Sequence, residues 1–274
     1  MSDAVTLSLR AAPDAAVDVD GITPDRVAVL AEHEIARLPV WTGSKRAAIG
    51  DFFDVRGGGS VHVRIEGDVS RFDGLGAGGA AGELVIDGSA GHRVGAGLRG
   101  GRIRVLGNVG HDAASGMTGG VLQVAGDAGD RLAANVPGAS RGMTGGDVLV
   151  AGSAGAEAAA RARRGLVVIG GDCGESAARA MIAGTLIVLG RTGAHPGRGS
   201  KRGTIVAIGG ITVPATYQYA CTFQPPHVRL VITYLARQYG LPVDDAARDG
   251  LYRRYCGDAG DPGKGEILEW VRSA

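Results

Sequence analysis

The sequence predicts an all-β fold: a parallel β-helix (solenoid) of about eight 19-residue glycine-rich rungs, flanked by short helical N- and C-terminal segments. Three observations predict it. A frame of Gly, five residues, Gly, two residues, Gly recurs at a near-constant interval. After the first glycine of each copy, apolar and mixed residues alternate at the period of a strand with one buried face. Glycine supplies 49 of 274 residues without a collagen triplet, which points to turns, and an aromatic share of 4% suits a slim core.

In chain order, residues 1–58 read as an N-terminal strand and helix cap. Val5, Leu7 and Leu9 alternate as a strand. A helix then begins at Pro24, with Thr23 as its cap and Ile22 stapled to Val27, and runs until just before Pro39. Gly57 to Gly59 read as a forgiving link to the first rung.

Residues 59–211 carry the repeats. The frame is complete at Gly82/Gly88/Gly91, Gly101/Gly107/Gly110, Gly120/Gly126/Gly129, Gly146/Gly152/Gly155, Gly165/Gly171/Gly174 and Gly184/Gly190/Gly193, and degenerate at Val61 to Gly67 and Gly203 to Gly209. The starts lie 21, 19, 19, 26, 19, 19 and 19 residues apart. Two apolar columns face one core: Leu84, Ile103, Leu122, Val148, Val167, Leu186 and Ile205, then Ile86, Val105, Val124, Val150, Ile169, Val188 and Ala207. Leu98, Met117, Met143, Ala162, Met181 and Ser200 close that core from another side. A small column (Ala90, Val109, Ala128, Ala154, Cys173, Thr192) fits a tight corner. The second and third glycines of every frame read as structural corners, needed for positive φ or close backbone approach. The same geometry is the plainer reading of any glycine run that mimics a dinucleotide fingerprint, since none sits in a strand-to-helix crossover.

Residues 212–274 read as a helical C-terminal extension, with one helix from Pro226 to Tyr239 stopped by Gly240 and shorter helical pieces around 244–255 and 266–271. Both ends would cap open strand edges.

A net charge of +1 gives no sign of nucleic-acid or membrane-surface binding. Cys173, Cys221 and Cys256 have neither disulfide-framework nor metal-site spacing. With no signal peptide and no apolar run long enough to span a bilayer, a cytoplasmic location is the expectation.

The run ITPDRVAVLAEHEIARLPVWTGSKRAAIGDFFDVRG (22–57), leading into GAGGAAGELVIDGSAGHRVGAGLRGGRIRVLGNVG and the GMTGG segments, resembles the C subunit of the formylmethanofuran dehydrogenase family. The likeness covers most of residues 20–210 and is specific in LPVW. The rungs alone are also similar to the glycine-repeat domain of the large glutamate synthase subunit, a right-handed β-helix that lacks that segment. The resemblance thus implies a right-handed coil and a non-catalytic subunit with no cofactor of its own. Its implied partners are an amidohydrolase-like A subunit, a B subunit and a formyltransferase D subunit. In such complexes a formyl group moves between tetrahydromethanopterin and methanofuran (methylofuran in methylotrophs) and is released as formate. The Ala/Arg-rich composition favours the methylotroph formyltransferase/hydrolase branch, which has lost redox function. The alternative is the C subunit of a molybdenum or tungsten formylmethanofuran dehydrogenase. The tail after Thr212 departs from the shorter archaeal pattern, which leaves its docking role open.

Several groupings suggest chemistry. His92, His111 and Asp130 share one column and offer zinc-type ligands, but stacking of this kind also arises from the repeat itself, and no further ligand is recognisable. No spacing singles out a catalytic triad, so no catalytic residue and no metal site is assigned. The rung from Gly120 holds seven extra residues within DRLAANVPGASR (130–141), a loop with Arg141 as its polar anchor. Leu149, Val168, Ile187 and Val206 form an apolar stripe on an outward column and read as a surface for partner subunits.

Arg163 and Lys201 fall two residues before their rung glycines and Arg164 and Arg202 one before, which makes a basic track along one edge. Arg161 and Arg198 lie beside it, and Arg99 and Arg141 extend it. Given the resemblance, a polyglutamyl carrier would suit these cations; otherwise they are solvated edge charges or bridges to acidic partner residues. A stand-alone left-handed β-helix acyltransferase, the reading of another class, needs a hexapeptide period that a 19-residue rung does not supply.

Overall fold

Alternation makes each four-residue strand one-sided, and the repeat period places the one-sided strands in register. The computed structural model describes residues 4–241, 243–259 and 263–272. The chain opens with β1 (Val5–Leu9), β2 (Val17–Asp18), α1 (Pro24–Val27), α2 (Glu32–Ala36), β3 (Pro39–Thr42), β4 (Lys45–Ala48), α3 (Ile49–Phe52) and β5 (Phe53–Arg56). The repeats hold β6 (His62–Glu66), β7 (Phe72–Asp73), β8 (Glu83–Ile86), β9 (Arg102–Val105), β10 (Val121–Val124), β11 (Asp147–Val150), β12 (Leu166–Ile169), β13 (Thr185–Val188) and β14 (Thr204–Ala207). After them come β15 (Gln218–Phe223), α4 (Pro226–Tyr239), α5 (Asp245–Arg248), β16 (Tyr252–Cys256) and β17 (Glu266–Trp270).

A 13-stranded, mostly parallel sheet runs β15-β16-β17-β14-β13-β12-β11-β10-β9-β8-β6-β1-β5, and a four-stranded sheet runs β4-β3-β2-β7. Equivalent repeat positions pair directly: Leu84 with Ile103, Ile103 with Leu122, and Leu122 with Val148 across the long repeat. The small column forms a second line of parallel bridges, from Val69 and Ala90 through Val109, Ala128, Ala154 and Cys173 to Thr192. Between the two lines lie the buried apolar columns, with Leu98, Met117, Met143 and Met181 closing the core. Cys173 sits in this core, and burial pushes its thiol up to about 12. The thiolate is the reactive form. Iodoacetamide at pH 8 should therefore label exposed Cys221 and spare Cys173 until denaturant is added, as peptide mapping by mass spectrometry would read.

The glycines divide into two kinds. The first glycines of the complete frames take positive φ, from 75° at Gly101 to 104° at Gly184. The second (Gly88, Gly107, Gly126, Gly152, Gly171, Gly190) and the third (Gly91, Gly110, Gly129, Gly155, Gly174, Gly193) do not, which corrects the positive-φ half of the expectation for them. Close approach is their requirement. A Cβ at any of these twelve would stand no more than 3.0 Å from backbone of the preceding repeat. At Gly174 it would lie 2.6 Å from Ala156 N and from Gly155 C. The side-chain direction at these corners runs along the stack into the repeat before, so the lack of a Cβ, not the freedom of φ, selects glycine there. The left-handed positions of the turn half are often not glycine: Arg93, Asp112, Ala133, Ala159, Arg161, Ala178 and His195 lie between φ 55° and 61°. Gly58 is not a forgiving link either, since a Cβ would fall 2.8 Å from Leu30 O and 2.9 Å from Glu32 N.

The ends depart most from expectation. The helix from Pro24 breaks into α1 and α2, and Thr23, at the N-cap of α1, makes no side-chain cap hydrogen bond. Residues 252–256 and 266–270 are strands, not helical pieces. The open edge of β14 decides this: β17 pairs with it in parallel, and β16 and β15 continue antiparallel, so tertiary pairing overrides local preference. At the other end β1 pairs in parallel with β6.

Helix α4 keeps its expected bounds, with Gly240 in the left-handed conformation at its stop. It accounts for the apolar stripe. Leu149, Val168, Ile187 and Val206 are 0–4% exposed, packed beneath Val228, Ile232 and Leu235 of α4 together with Ala247, Tyr252 and Leu268. The stripe is therefore a surface for the chain's own extension. Tyr234 and Tyr239 each donate to Asp147 Oδ2 at 2.7 Å and fix the helix to β11. Burial, the partner hydroxyl and this carboxylate hold the Tyr239 phenol well above its ordinary range, so it stays a donor.

Candidate functional site

Repetition stacks like side chains, and most of the polar columns are used up by that stacking. His92 and His111 rings lie 5.0 Å apart. His92 Nδ1 accepts the His111 N–H and His111 Nδ1 accepts the Asp130 N–H, both at 2.9 Å. Asp130 Oδ1 then accepts from Ala156 N–H at 2.8 Å. A second ladder that escaped sequence reading runs beside it. The side chains of Ser89, Asn108, Asp127, Ser153 and Asp172 each accept the N–H of the residue one repeat on. Its signal was a column of short acceptors seven residues after the first glycine of the five frames from Gly82 to Gly165. These groups satisfy backbone donors at a corner, and among the described residues no group of three His, Cys, Asp or Glu is placed to hold a metal ion.

The basic residues are arranged differently. Arg163, Arg164, Lys201 and Arg202 line one depression of about 620 Å³, floored by Gly165, Ile182 and Gly184. Arg141, Arg161 and Lys201 line an adjoining one of about 440 Å³, and Ile182 and Lys201 border both. Seven of the eight cations gather along this edge, with Arg198 in a third cavity that meets the second at Gly199. Arg99 does not join them. It lies in the repeat that starts at Gly82, two to five repeats before the others, and its guanidinium donates to Gly78 O at 2.9 and 3.1 Å. Among the described residues none of the eight forms an ion pair.

By contrast the charged turn residues of other repeats are paired: Arg93 with Asp18 at 2.7 Å, Arg131 with Asp112, and Arg179 with Glu157 at 2.8 Å. Unpaired cations at a spacing of about 10 Å over two repeats can attract an extended polyanion. The inserted loop borders this edge, but Arg141 does not anchor it. Asn135 does, its Nδ2 donating to Val136 O at 3.2 Å and Ala139 O at 3.0 Å.

The third cavity, of about 970 Å³, adds His195, Asp258 and Thr192 to Arg198. Beside it Tyr217 donates to Gly197 O at 2.9 Å, and burial next to the Asp258 carboxylate pushes the Tyr217 phenol up to about 12. Sequence reading missed this cavity. Its signal was the last frame, at Gly203, where ITVPATY replaces a turn half. Among the described residues no helix is long and apolar enough to cross a membrane.

No protein-family model matches the chain. It is 38% identical over 92 residues to the C subunit of the molybdenum-containing formylmethanofuran dehydrogenase 1 of Methanosarcina barkeri, a match covering 32% of this chain and 31% of that protein. It is 36% identical over 86 residues to the C subunit of the formyltransferase/hydrolase complex Fhc of Methylorubrum extorquens, covering 31% and 32%. These matched segments span about a third of the length of either relative. The crystal structure of the M. extorquens formyltransferase/hydrolase complex with methylofuran contains a chain that matches from end to end, with TM-score 0.89, 35% identity, and 97% of this chain and 100% of that one covered. An end-to-end match at that identity carries both fold and ancestry, so the chain belongs to the C-subunit family found in formylmethanofuran dehydrogenases and in the formyltransferase/hydrolase complex.

Proposed function

We propose that this chain is the non-catalytic, structural C subunit of a formyltransferase/hydrolase complex in the cytoplasm. In this reading it is a right-handed parallel β-helix of about eight 19-residue rungs over residues 59–211, closed by 1–58 at one end and 212–274 at the other. It works with an amidohydrolase-like A subunit, a B subunit and a formyltransferase D subunit, in formyl transfer from formyl-tetrahydromethanopterin to methylofuran and hydrolysis to formate. The end-to-end likeness to a chain of the M. extorquens complex carries the proposal. A scaffold role is supported by the two ladders, in which groups that elsewhere do chemistry are committed to backbone N–H donors of the next repeat.

The basic edge is read as the contact for the anionic chain of the carrier, by screened attraction that fades as the Debye length falls below about 10 Å. The experiment is to purify the tagged protein from its native host and assay what co-elutes, then to change Arg163, Arg164, Lys201 and Arg202 together to Gln. Three further subunits and formyl transfer are expected, with a long polyglutamyl carrier losing about tenfold more affinity than a truncated one. A lone chain on purification would sink the subunit reading, and equal losses for the two carriers would sink the basic-edge reading.

One observation favours a second reading. Identity to the M. barkeri dehydrogenase subunit, 38%, is as high as to the hydrolase subunit. A dehydrogenase complex would carry stoichiometric molybdenum or tungsten, which elemental analysis of the purified complex decides.

A further inference from the structure

The 13-stranded sheet ends in β5 at one tip and β15 at the other, and the sequence treats the two edges differently. Strand β5 carries exposed Asp54 and Arg56, with Asp54 held by Arg10 at 2.8 Å. Charged side chains are the usual guard of an open edge against pairing with another chain. Strand β15 has no such guard. No Asp, Glu, Lys or Arg occurs between Arg202 and Arg229. Gln218, Tyr219, Ala220, Cys221 and Thr222 are all exposed, so the strand stands clear on both faces. Among the described residues no strand pairs with its outer edge.

Two features limit which part of β15 another strand can use. Its register with β16 shifts between Tyr219 and Cys221, a bulge that breaks the ladder, and Pro225, which has no N–H to give, closes the far end. Between them Cys221, Thr222 and Phe223 run regularly, opposite Arg254, Arg253 and Tyr252. This stretch is its own complement. Antiparallel pairing with a second copy about a two-fold axis at Thr222 sets threonine against threonine and Cys221 against Phe223, on matching faces, with no like charges opposed. Symmetry selects the same arrangement. Pairing β15 with the β5 edge of another copy is heterologous and propagates into a filament, whereas β15 against β15 closes after two copies.

We propose that β15 is a two-fold contact between two copies of this chain, which joins their sheets edge to edge through Cys221–Phe223. The inference rests on the sheet edge alone and holds whichever complex the chain joins.

The test is thiol cross-linking of the protein purified with its co-eluting subunits. In this register Cys221 and its counterpart in the second copy are diagonal neighbours, about 7–8 Å apart, within reach of bismaleimidoethane. Edge pairing leaves the faces of the strand open, so the thiol stays reactive. A covalent dimer of this chain is expected, lost in Cys221→Ser and kept in Cys256→Ser. Thr222→Glu sets two carboxylates against each other and should cut the dimer yield about fivefold or more. Mixing the Thr222→Glu protein with a Thr222→Lys protein should restore it, an outcome that only self-pairing gives. The proposal is overturned by the absence of a dimer from the unaltered protein, or by a cross-link from Cys221 to a different subunit. A yield that Thr222→Glu leaves unchanged, or that mixing fails to restore, overturns it as well.

Discussion

Replacing Gly174 with alanine is expected to lower stability by about 4 kcal/mol or more, read as a fall in the urea midpoint with little change in slope. A single methyl group suffices because its neighbours cannot rotate away. The added Cβ would lie 2.6 Å from Ala156 N and Gly155 C and 2.8 Å from Gly155 O, all backbone of the preceding repeat. Two repeats would have to move apart, and the bonds between them would lengthen together. Gly138 supplies the contrast: it has φ 82° but nothing within 4 Å of a Cβ, so alanine there should cost only about 1 kcal/mol of backbone strain. Gly110 lies between the two, because part of its obstruction is the His92 ring, which can swing aside. Equal midpoints for Gly174→Ala and Gly138→Ala would show that close approach is not what glycine provides at the corner.

The second large effect is expected at α4. Ile232→Asp should cost about 3 kcal/mol or more, because it puts an unpaired carboxylate against Val168, Ile187 and Val206. The helix would leave the sheet before that charge was buried. The readouts are binding of an apolar dye to the uncovered stripe, faster proteolysis within 226–239, and concentration-dependent aggregation. Leu230→Asp is the control, since Leu230 is 71% exposed on the same helix and its replacement should be nearly neutral. A dye response from Leu230→Asp equal to that of Ile232→Asp would mean that the helix does not clamp the stripe.

The strand register was legible in the sequence because it depends on a period alone: Val148 pairs with Val167, and Val167 with Leu186, as the columns require. Even the long repeat keeps its register, since its extra residues lie in the turn half. What depended on nonperiodic contacts was not legible. The stripe at Leu149 and Val168 looks outward by alternation, and only the fold of the tail reveals that α4 lies over it. Glu266–Trp270 is too short to declare itself, and becomes a strand because β14 offers an edge. The basic edge was legible through its columns, apart from Arg99, whose tether to Gly78 O depends on a rotamer. The end cavity was not, because it arises where a pattern stops.

The repeat spacing also orders the events of folding. Most hydrogen-bonded neighbours in the parallel sheet are separated by 19 residues, so each added repeat closes a loop of the same modest length. The end strands are different: Val5 meets Val63 and Thr204 meets Glu266, closures of 58 and 62 residues. At equal stiffness the longer loops cost about 1 kcal/mol more entropy each. Growth therefore starts inside, at any pair of neighbouring repeats, and spreads outward, with the two terminal strands joining last and leaving first. In amide hydrogen exchange the molecule should open from both tips inward, with the amides of Val148 and Val167 the slowest to trade their protons.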